Sequence, residues 1–94
     1  MLLFGALQII ENSIDPKMPT IKIIDGVKID VYSREHPPPH FHAIYAEQEE
    51  LIEIETLKTY TGKIQSNKRD KVIAWAKANK QCLANNFKRL NPRT

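Results

Sequence analysis

The chain has very little cysteine and glycine, two residues on which many small binding sites depend. Its one cysteine, Cys82, excludes an internal disulfide bond and a cysteine-rich zinc site. The three glycines are scattered along the chain, so no glycine-rich loop is available to bind phosphate groups. A reducing cytoplasm suits a chain with one free thiol.

Long hydrophobic runs are also missing. Residues 1–10 are apolar apart from Gln8, but ten residues are too few to span a bilayer. They lack the basic start of a secretory signal, so we expect a cytoplasmic protein without a membrane partner. The prolines at 16 and 19 break regular structure. They divide the chain into an apolar N-terminal arm, residues 1–17, and a single domain, residues 18–94.

Acidic side chains are scarce in the second part of the chain. Residues 1–57 carry four basic and ten acidic side chains, whereas residues 58–94 carry ten basic and one acidic. This asymmetry predicts a basic surface that attracts nucleic acid or an acidic partner protein. The alternative is a solvated helix face without a partner. The basic side chains expected to bind are Lys77, Lys80, Lys88, Arg89 and Arg93.

Between residues 20 and 64, apolar and polar side chains alternate, which indicates β-strands. We expect strands over residues 20–24, 27–32, 40–45 and 51–56, with a short edge strand over residues 60–64. Asp25-Gly26 is typical of a two-residue hairpin turn. Residues 47–50 are expected to form a polar turn.

The spacing then changes to that of a helix. Ser66 or Asn67 is expected to cap it, and Asp70 to lie in its first turn. Pro92 ends the helix, and a bend is expected near Asn85-Asn86. Apolar side chains at steps of three and four predict one buried stripe: Val72, Trp75, Ala76, Asn79, Leu83, Phe87 and Leu90. The sequence therefore predicts an α+β fold, an antiparallel sheet of four to five strands with one long C-terminal helix packed on one face.

All three histidines lie in one stretch of seven residues, His36-Pro-Pro-Pro-His40-Phe41-His42. Strand alternation places His40 and His42 on one side and Phe41 on the other. We expect Phe41 to lie in the core beneath the helix and the two histidines to project from the uncovered sheet face. Three extended prolines would hold His36 about 12 Å along the chain from His40.

Two histidines that are two residues apart on a strand are suitable ligands for one metal ion, such as zinc. Asp30, expected opposite His42, would orient that ring, and Tyr32 would stack on a ligand. The alternative is a pair of exposed histidines that form hydrogen bonds with carboxylates and the loop backbone. The candidate ligand or recognition residues are His36, His40, His42, Tyr32 and Asp30, with His40 and His42 as metal ligands.

Several of these motifs resemble one small bacterial family, the domain of unknown function 4160. The resemblance is carried by Met18-Pro-Thr-Ile21, Val31-Tyr32, the histidine and proline stretch, Ile52-Glu-Ile54 and Trp75, and it extends from Met18 to about Phe87. Members commonly begin at the methionine equivalent to Met18, so residues 1–17 depart from the pattern. Members often lie beside another small protein, as in toxin–antitoxin pairs, and the resemblance therefore implies a partner encoded nearby.

Our leading hypothesis is a non-enzymatic binding module of a two-gene bacterial system. Its basic helix would meet nucleic acid or a partner protein, and its histidine face would provide specificity. The alternative is a metal-dependent hydrolase or metal-binding protein that uses His36, His40 and His42, with Asp30. A third hypothesis is a homodimer formed through the open sheet face or the apolar arm.

Overall fold

A five-stranded antiparallel sheet followed by two helices makes up the part of the chain that the structure, a computed structural model, describes: residues 19–92. The predicted arm, residues 1–17, lies outside the described residues. The strands are β1 (Thr20–Ile24), β2 (Val27–Asp30), β3 (His40–Tyr45), β4 (Gln48–Glu53) and β5 (Thr59–Gly62), and the helices are α1 (Ser66–Ala78) and α2 (Lys80–Leu90). The predicted α+β fold is confirmed.

The strands follow one another in chain order across the sheet. The predicted Asp25-Gly26 turn joins β1 to β2, and both of its residues have positive φ, 48° and 84°. This is the backbone that a type I′ hairpin turn requires, since its twist matches that of the strands. In the β2–β3 pairing, Asp30 lies opposite His42, as predicted.

The hairpin between β3 and β4 is tighter than the sequence suggested. Ala46 has a positive φ of 54°, and β4 begins at Gln48, so the predicted polar turn over residues 47–50 is wrong. The turn is completed by Ala46 and Glu47, and the next carboxylates join the strand. As a result, Glu49 lies opposite Ile44 and Glu50 lies opposite Ala43 in the register, which places the two carboxylates on opposite faces of the sheet.

The core lies between one face of the sheet and the apolar sides of both helices. Burial of this surface is the main force that holds the helices on the sheet. The buried apolar side chains of the core are Val27, Ile29, Val31, Phe41, Ala43, Ile52, Ile54, Leu57, Ile64, Val72, Ala76, Leu83 and Phe87.

The predicted single long helix is wrong, because the helix is interrupted at Asn79. The side-chain amide of Asn79 donates to the carbonyl of Trp75 (2.8 Å), and its backbone N–H donates to Ala76 (3.0 Å). The side chain thus takes the carbonyl that the backbone amide would use in a continuous helix. The interruption is at Asn79 and not at the expected bend near residues 85–86.

The start of α1 also differs from its prediction. Gln65 precedes the helix, and no side chain caps it; instead, the Gln65 carbonyl accepts the backbone N–H groups of Lys68 and Arg69. Asp70 lies beyond the first turn, which contains no acidic residue. The predicted apolar stripe holds in its main features: Val72, Ala76, Leu83 and Phe87 are buried, and Trp75, Asn79 and Leu90 are partly buried.

Candidate functional site

The β3 strand separates its aromatic core residue from its two histidines, as predicted. Phe41 has no exposed surface, and His40 and His42 point the other way. The expectation that both imidazoles project freely into solvent is wrong. The side chains of His40 and His42 are only 4% and 12% exposed, since the preceding loop and neighbouring aromatic rings cover them.

A carboxylate from that loop lies between the two imidazoles. Oε1 of Glu35 is 2.8 Å from Nε2 of His40 and 2.7 Å from Nε2 of His42. One oxygen atom therefore meets both rings. Burial tends to raise the pKa of Glu35, but the close contacts with His42 and His40 outweigh burial and hold that pKa below its usual range.

The other nitrogen of each imidazole also meets an oxygen. Nδ1 of His40 is 2.8 Å from the carbonyl oxygen of Pro38, and Nδ1 of His42 is 2.7 Å from Oε2 of Glu49. All four ring nitrogens thus face oxygen atoms, but a neutral imidazole has a single N–H; a proton on Nδ1 satisfies the contacts with Pro38 and Glu49 and leaves each Nε2 with a lone pair. These contacts fix the orientation of both rings.

The end of α2 holds the loop that carries Glu35. The backbone N–H of Glu35 donates to Oδ1 of Asn91 (2.8 Å), and Nδ2 of Asn91 donates to the carbonyl of Tyr32 (2.9 Å). Asn91 is only 5% exposed. Because these bonds are shielded from water, the helix end fixes the position of the Glu35 backbone relative to β3.

Tyr32 and Asp30 support the site from its side. The ring of Tyr32 meets the ring of His42 edge to face, with centroids 4.5 Å apart. Its hydroxyl donates to Asp30 (3.0 Å), which also accepts the hydroxyl of Thr20 (2.7 Å). Burial, together with the hydrogen bond to Asp30, raises the pKa of Tyr32 to about 12. Asp30 therefore orients Tyr32, and the predicted orientation of His42 by Asp30 is wrong, because Glu49 has that role.

Two aromatic rings cover His40. The rings of Phe87 and Tyr60 have their centroids 5.6 Å and 5.5 Å from that of His40. His36, by contrast, is exposed and does not belong to the cluster of ligand-type side chains that the structure brings together. The peptide bond between Pro37 and Pro38 is cis.

The predicted basic residues lie apart from this cluster, on the helices. Lys77 and Lys88 are exposed, Nζ of Lys80 donates to the carbonyl of Glu55, and Arg89 donates to Asn86 (2.9 Å). Arg93 lies outside the described residues. None of the basic side chains at 77, 80, 88 and 89 forms a hydrogen bond or an ion pair with the histidine cluster in the part of the chain that the structure describes.

Sequence reasoning missed the two glutamates of the site. Glu35 directly precedes the histidine and proline stretch, which was the available signal for it. The sequence pattern predicts Glu49 in a turn, and only a strand that begins at Gln48 places it beside His42. With a turn limited to Ala46-Glu47, strand alternation predicts Glu49 on the same face as the histidines.

Two imidazoles and one carboxylate form a recognised set of metal ligands. One ligand atom from each of Glu35, His40 and His42 can be chosen so that all three lie within 4.8 Å of one another. The described residues, 19–92, thus form a small α+β domain with a histidine–carboxylate site beside its sheet.

The model of a family described as a domain of unknown function, DUF4160, matches residues 26–88. The chain belongs to this family, which confirms the resemblance seen in its motifs. Searches of curated proteins and of solved structures give no match. In residues 19–92, neither helix has the length and apolar character needed to cross a membrane.

Proposed function

We propose that this protein is a small binding module that holds a divalent metal ion, best suited to zinc, between Glu35, His40 and His42. One observation carries the proposal: Nε2 of both histidines points at the same carboxylate oxygen, while both Nδ1 atoms have oxygen partners. A metal-binding histidine usually donates its second ring N–H to a carboxylate or a carbonyl oxygen. Glu49 and Pro38 provide these two kinds of acceptor.

The hydrogen-bond pattern favours a cation at the point where the rings converge. A neutral imidazole that is protonated at Nδ1 presents a lone pair at Nε2. Two such lone pairs beside one carboxylate oxygen repel it, unless a proton or a metal ion lies between them. A metal ion satisfies all three atoms at once, whereas protons would require two imidazolium rings beside each other, with centroids 5.5 Å apart.

The distances are close to those of a zinc site. Zinc bonds to nitrogen and oxygen of about 2.0–2.2 Å place tetrahedral ligand atoms about 3.3 Å apart. The contacts of Glu35 to the rings are 2.7 and 2.8 Å, so the ligands need to separate by about half an ångström. Glu35 is on a loop and is 26% exposed, which allows this movement. Imidazole ligands favour zinc over magnesium or calcium.

We expect the protein to bind one zinc ion, and Glu35→Gln or His42→Ala to weaken binding by more than about 100-fold. Loss of an orienting residue alone costs about 10- to 100-fold in affinity, and loss of a ligand costs more. Isothermal titration of zinc into the metal-free protein measures the affinity. Titration in buffers of different ionisation enthalpy measures the protons released.

Glu47→Gln is the matched control for Glu35→Gln. Glu47 is exposed in the β3–β4 turn, and its replacement removes the same charge. Circular dichroism checks that each variant is folded. This check is needed because Glu35 contacts the buried ring of His40. Equal loss of zinc affinity in Glu35→Gln and Glu47→Gln would show that binding depends on net charge and would contradict the proposal.

Three protein ligands leave a fourth tetrahedral position open, and this favours hydrolysis as a second candidate function. Catalytic zinc sites keep such a position for water, whereas structural sites close it. The test is phosphodiester cleavage by the zinc-loaded protein, with His42→Ala as the inactive variant.

The open position also suits a side chain from another protein, and the family's gene arrangement supports a partner encoded nearby, in a toxin–antitoxin-like pair. Co-purification with the product of the neighbouring gene, followed by metal analysis of the complex, tests this part of the proposal. A complex that forms equally well with His42→Ala would show that the metal does not join the two proteins.

A further inference from the structure

The helical layer has an unbalanced charge that the histidine site does not use. Residues 66–90 carry seven basic side chains and one acidic side chain, Asp70. Unbalanced charge on one layer produces an electrostatic field that concentrates anions beside it. The strength of this field depends on how many of these basic side chains are already neutralised by carboxylates.

Carboxylates of the sheet neutralise the basic residues at the start of α1. Nζ of Lys68 and Nζ of Lys71 lie 2.8 Å and 3.0 Å from Oδ2 of Asp25. Nε of Arg69 lies 2.7 Å from Oε2 of Glu50. Two carboxylates of the sheet and its turn thus face these three cations, and Asp70 of α1 carries a third negative charge, so the start of α1 adds little net charge to the external field.

The basic residues of α2 have no such partners. Lys88 and Arg89 lie in its last turn, and neither forms an ion pair with a carboxylate within residues 19–92. The helix contains no acidic residue, and Lys80 donates to a backbone carbonyl. Within residues 19–92, the basic side chains of the helical layer that lack an ion pair are therefore Lys77 at the end of α1 and the three basic residues of α2, where most of the positive charge lies.

Neutral polar side chains fill the rest of the exposed face of α2. This outer α2 face consists of Gln81, Cys82, Asn85, Lys88 and Arg89, all of them exposed. The large apolar side chains exposed in residues 19–92 are Ile23 and Tyr60, both on strands. The outer α2 face thus lacks the apolar anchors of a membrane-bound helix and the aromatic anchors of a protein interface.

We propose that the outer α2 face binds the phosphate backbone of nucleic acid. Unpaired lysine and arginine side chains neutralise phosphates, and amide side chains form hydrogen bonds to phosphate or sugar oxygens. The mean helical rise of 1.5 Å per residue gives α2 a length of about 16 Å, enough for contacts with several successive phosphates. This proposal is independent of the metal site, which lies beside β3.

The salt dependence of binding to a fluorescein-labelled DNA duplex, measured by anisotropy, tests this proposal. Lys88→Gln with Arg89→Gln removes two charges from the face, and Lys22→Gln with Lys28→Gln removes two exposed charges from the strands. Loss of two phosphate contacts reduces the slope of log K against log salt by about 1.8. We expect that change in the α2 pair and less than half of it in the strand pair.

Cys82 provides a second measurement on the same face, since it is exposed and is the only cysteine of the chain. An environment-sensitive dye on Cys82 should respond to the duplex at the concentrations that the anisotropy change reports. Equal slopes for the two variant pairs, or no binding at low salt, would overturn the proposal. Binding of polyglutamate without binding of DNA or RNA would also overturn it and would indicate an acidic protein as the partner.

Discussion

Phe41→Ala is expected to lower the free energy of unfolding by about 3–5 kcal/mol, because it removes a large ring from the centre of the core. Phe41 has no exposed surface and lies opposite Ile52 in the β3–β4 pairing. Because the core is closely packed around the ring, the neighbouring side chains relax too little to fill the cavity. For a domain whose total stability is about 5–15 kcal/mol, the loss is large. Urea unfolding followed by circular dichroism measures it.

Ile23→Ala is the control for Phe41→Ala, because Ile23 is a large apolar side chain on a neighbouring part of the sheet that is 62% exposed. Its replacement is expected to change stability by less than about 0.5 kcal/mol. A change of under about 1 kcal/mol in Phe41→Ala would show that β3 does not present this ring to the core. The two histidines would then lie on the helical side of the sheet.

Glu50→Gln is expected to destabilise the protein by about 2–3 kcal/mol at neutral pH, the usual range for hydrogen bonds to a buried charged group. Glu50 is 1% exposed and is the buried carboxylate on the helical side of the sheet. It accepts hydrogen bonds from Nε of Arg69 (2.7 Å), the backbone N–H of Ile64 (3.2 Å) and the hydroxyl of Thr59. The glutamine amide cannot balance the charge of Arg69.

The effect of Glu50→Gln depends on pH in a defined direction. Burial tends to raise the pKa of Glu50, but the hydrogen bonds from Thr59, Arg69 and Ile64 outweigh it and hold that pKa below the usual 4.5. A lowered folded-state pKa adds stability above the unfolded pKa, and this stability is lost as the pH falls through the folded pKa. The difference between wild type and variant is therefore complete at pH 7 and shrinks below about pH 4.5.

Urea unfolding at a series of pH values between 3 and 7 measures this dependence; urea is preferred because guanidinium salt screens charges. Glu47→Gln, at an exposed position in the turn before β4, should leave stability almost unchanged. If Glu50→Gln is equally destabilising at pH 3 and pH 7, shape and not charge makes Glu50 important.

Local patterns were sufficient for much of the fold. The Asp25-Gly26 turn and the alternation that buries Phe41 both follow from chemistry within a few residues. Strands alternate with a period of two and hairpins are set by their turn residues, so neighbouring side chains determine these features. The histidine and proline stretch is also a local pattern, and it carries the resemblance to the family.

Details that depend on one residue in an otherwise regular pattern were harder to predict. Asn79 fits the helical stripe, yet its side chain competes for the carbonyl of Trp75 and interrupts the helix. Ala46 carries no turn signal, yet its positive φ shortens the hairpin and moves Glu49 into β4. At each of these residues the expected and the observed backbone differ little in local free energy, so tertiary packing decides between them.

The sequence by itself determined the class of fold, the buried face of β3 and the presence of two histidines on its other face. Only the tertiary structure decided that these histidines are buried and that Glu35 joins them. Asn91 is 56 residues from Glu35 in the chain, and their hydrogen bond fixes the loop backbone that places the Glu35 carboxylate between the imidazoles. No local pattern encodes such a contact, because it forms only when α2 has packed against the sheet.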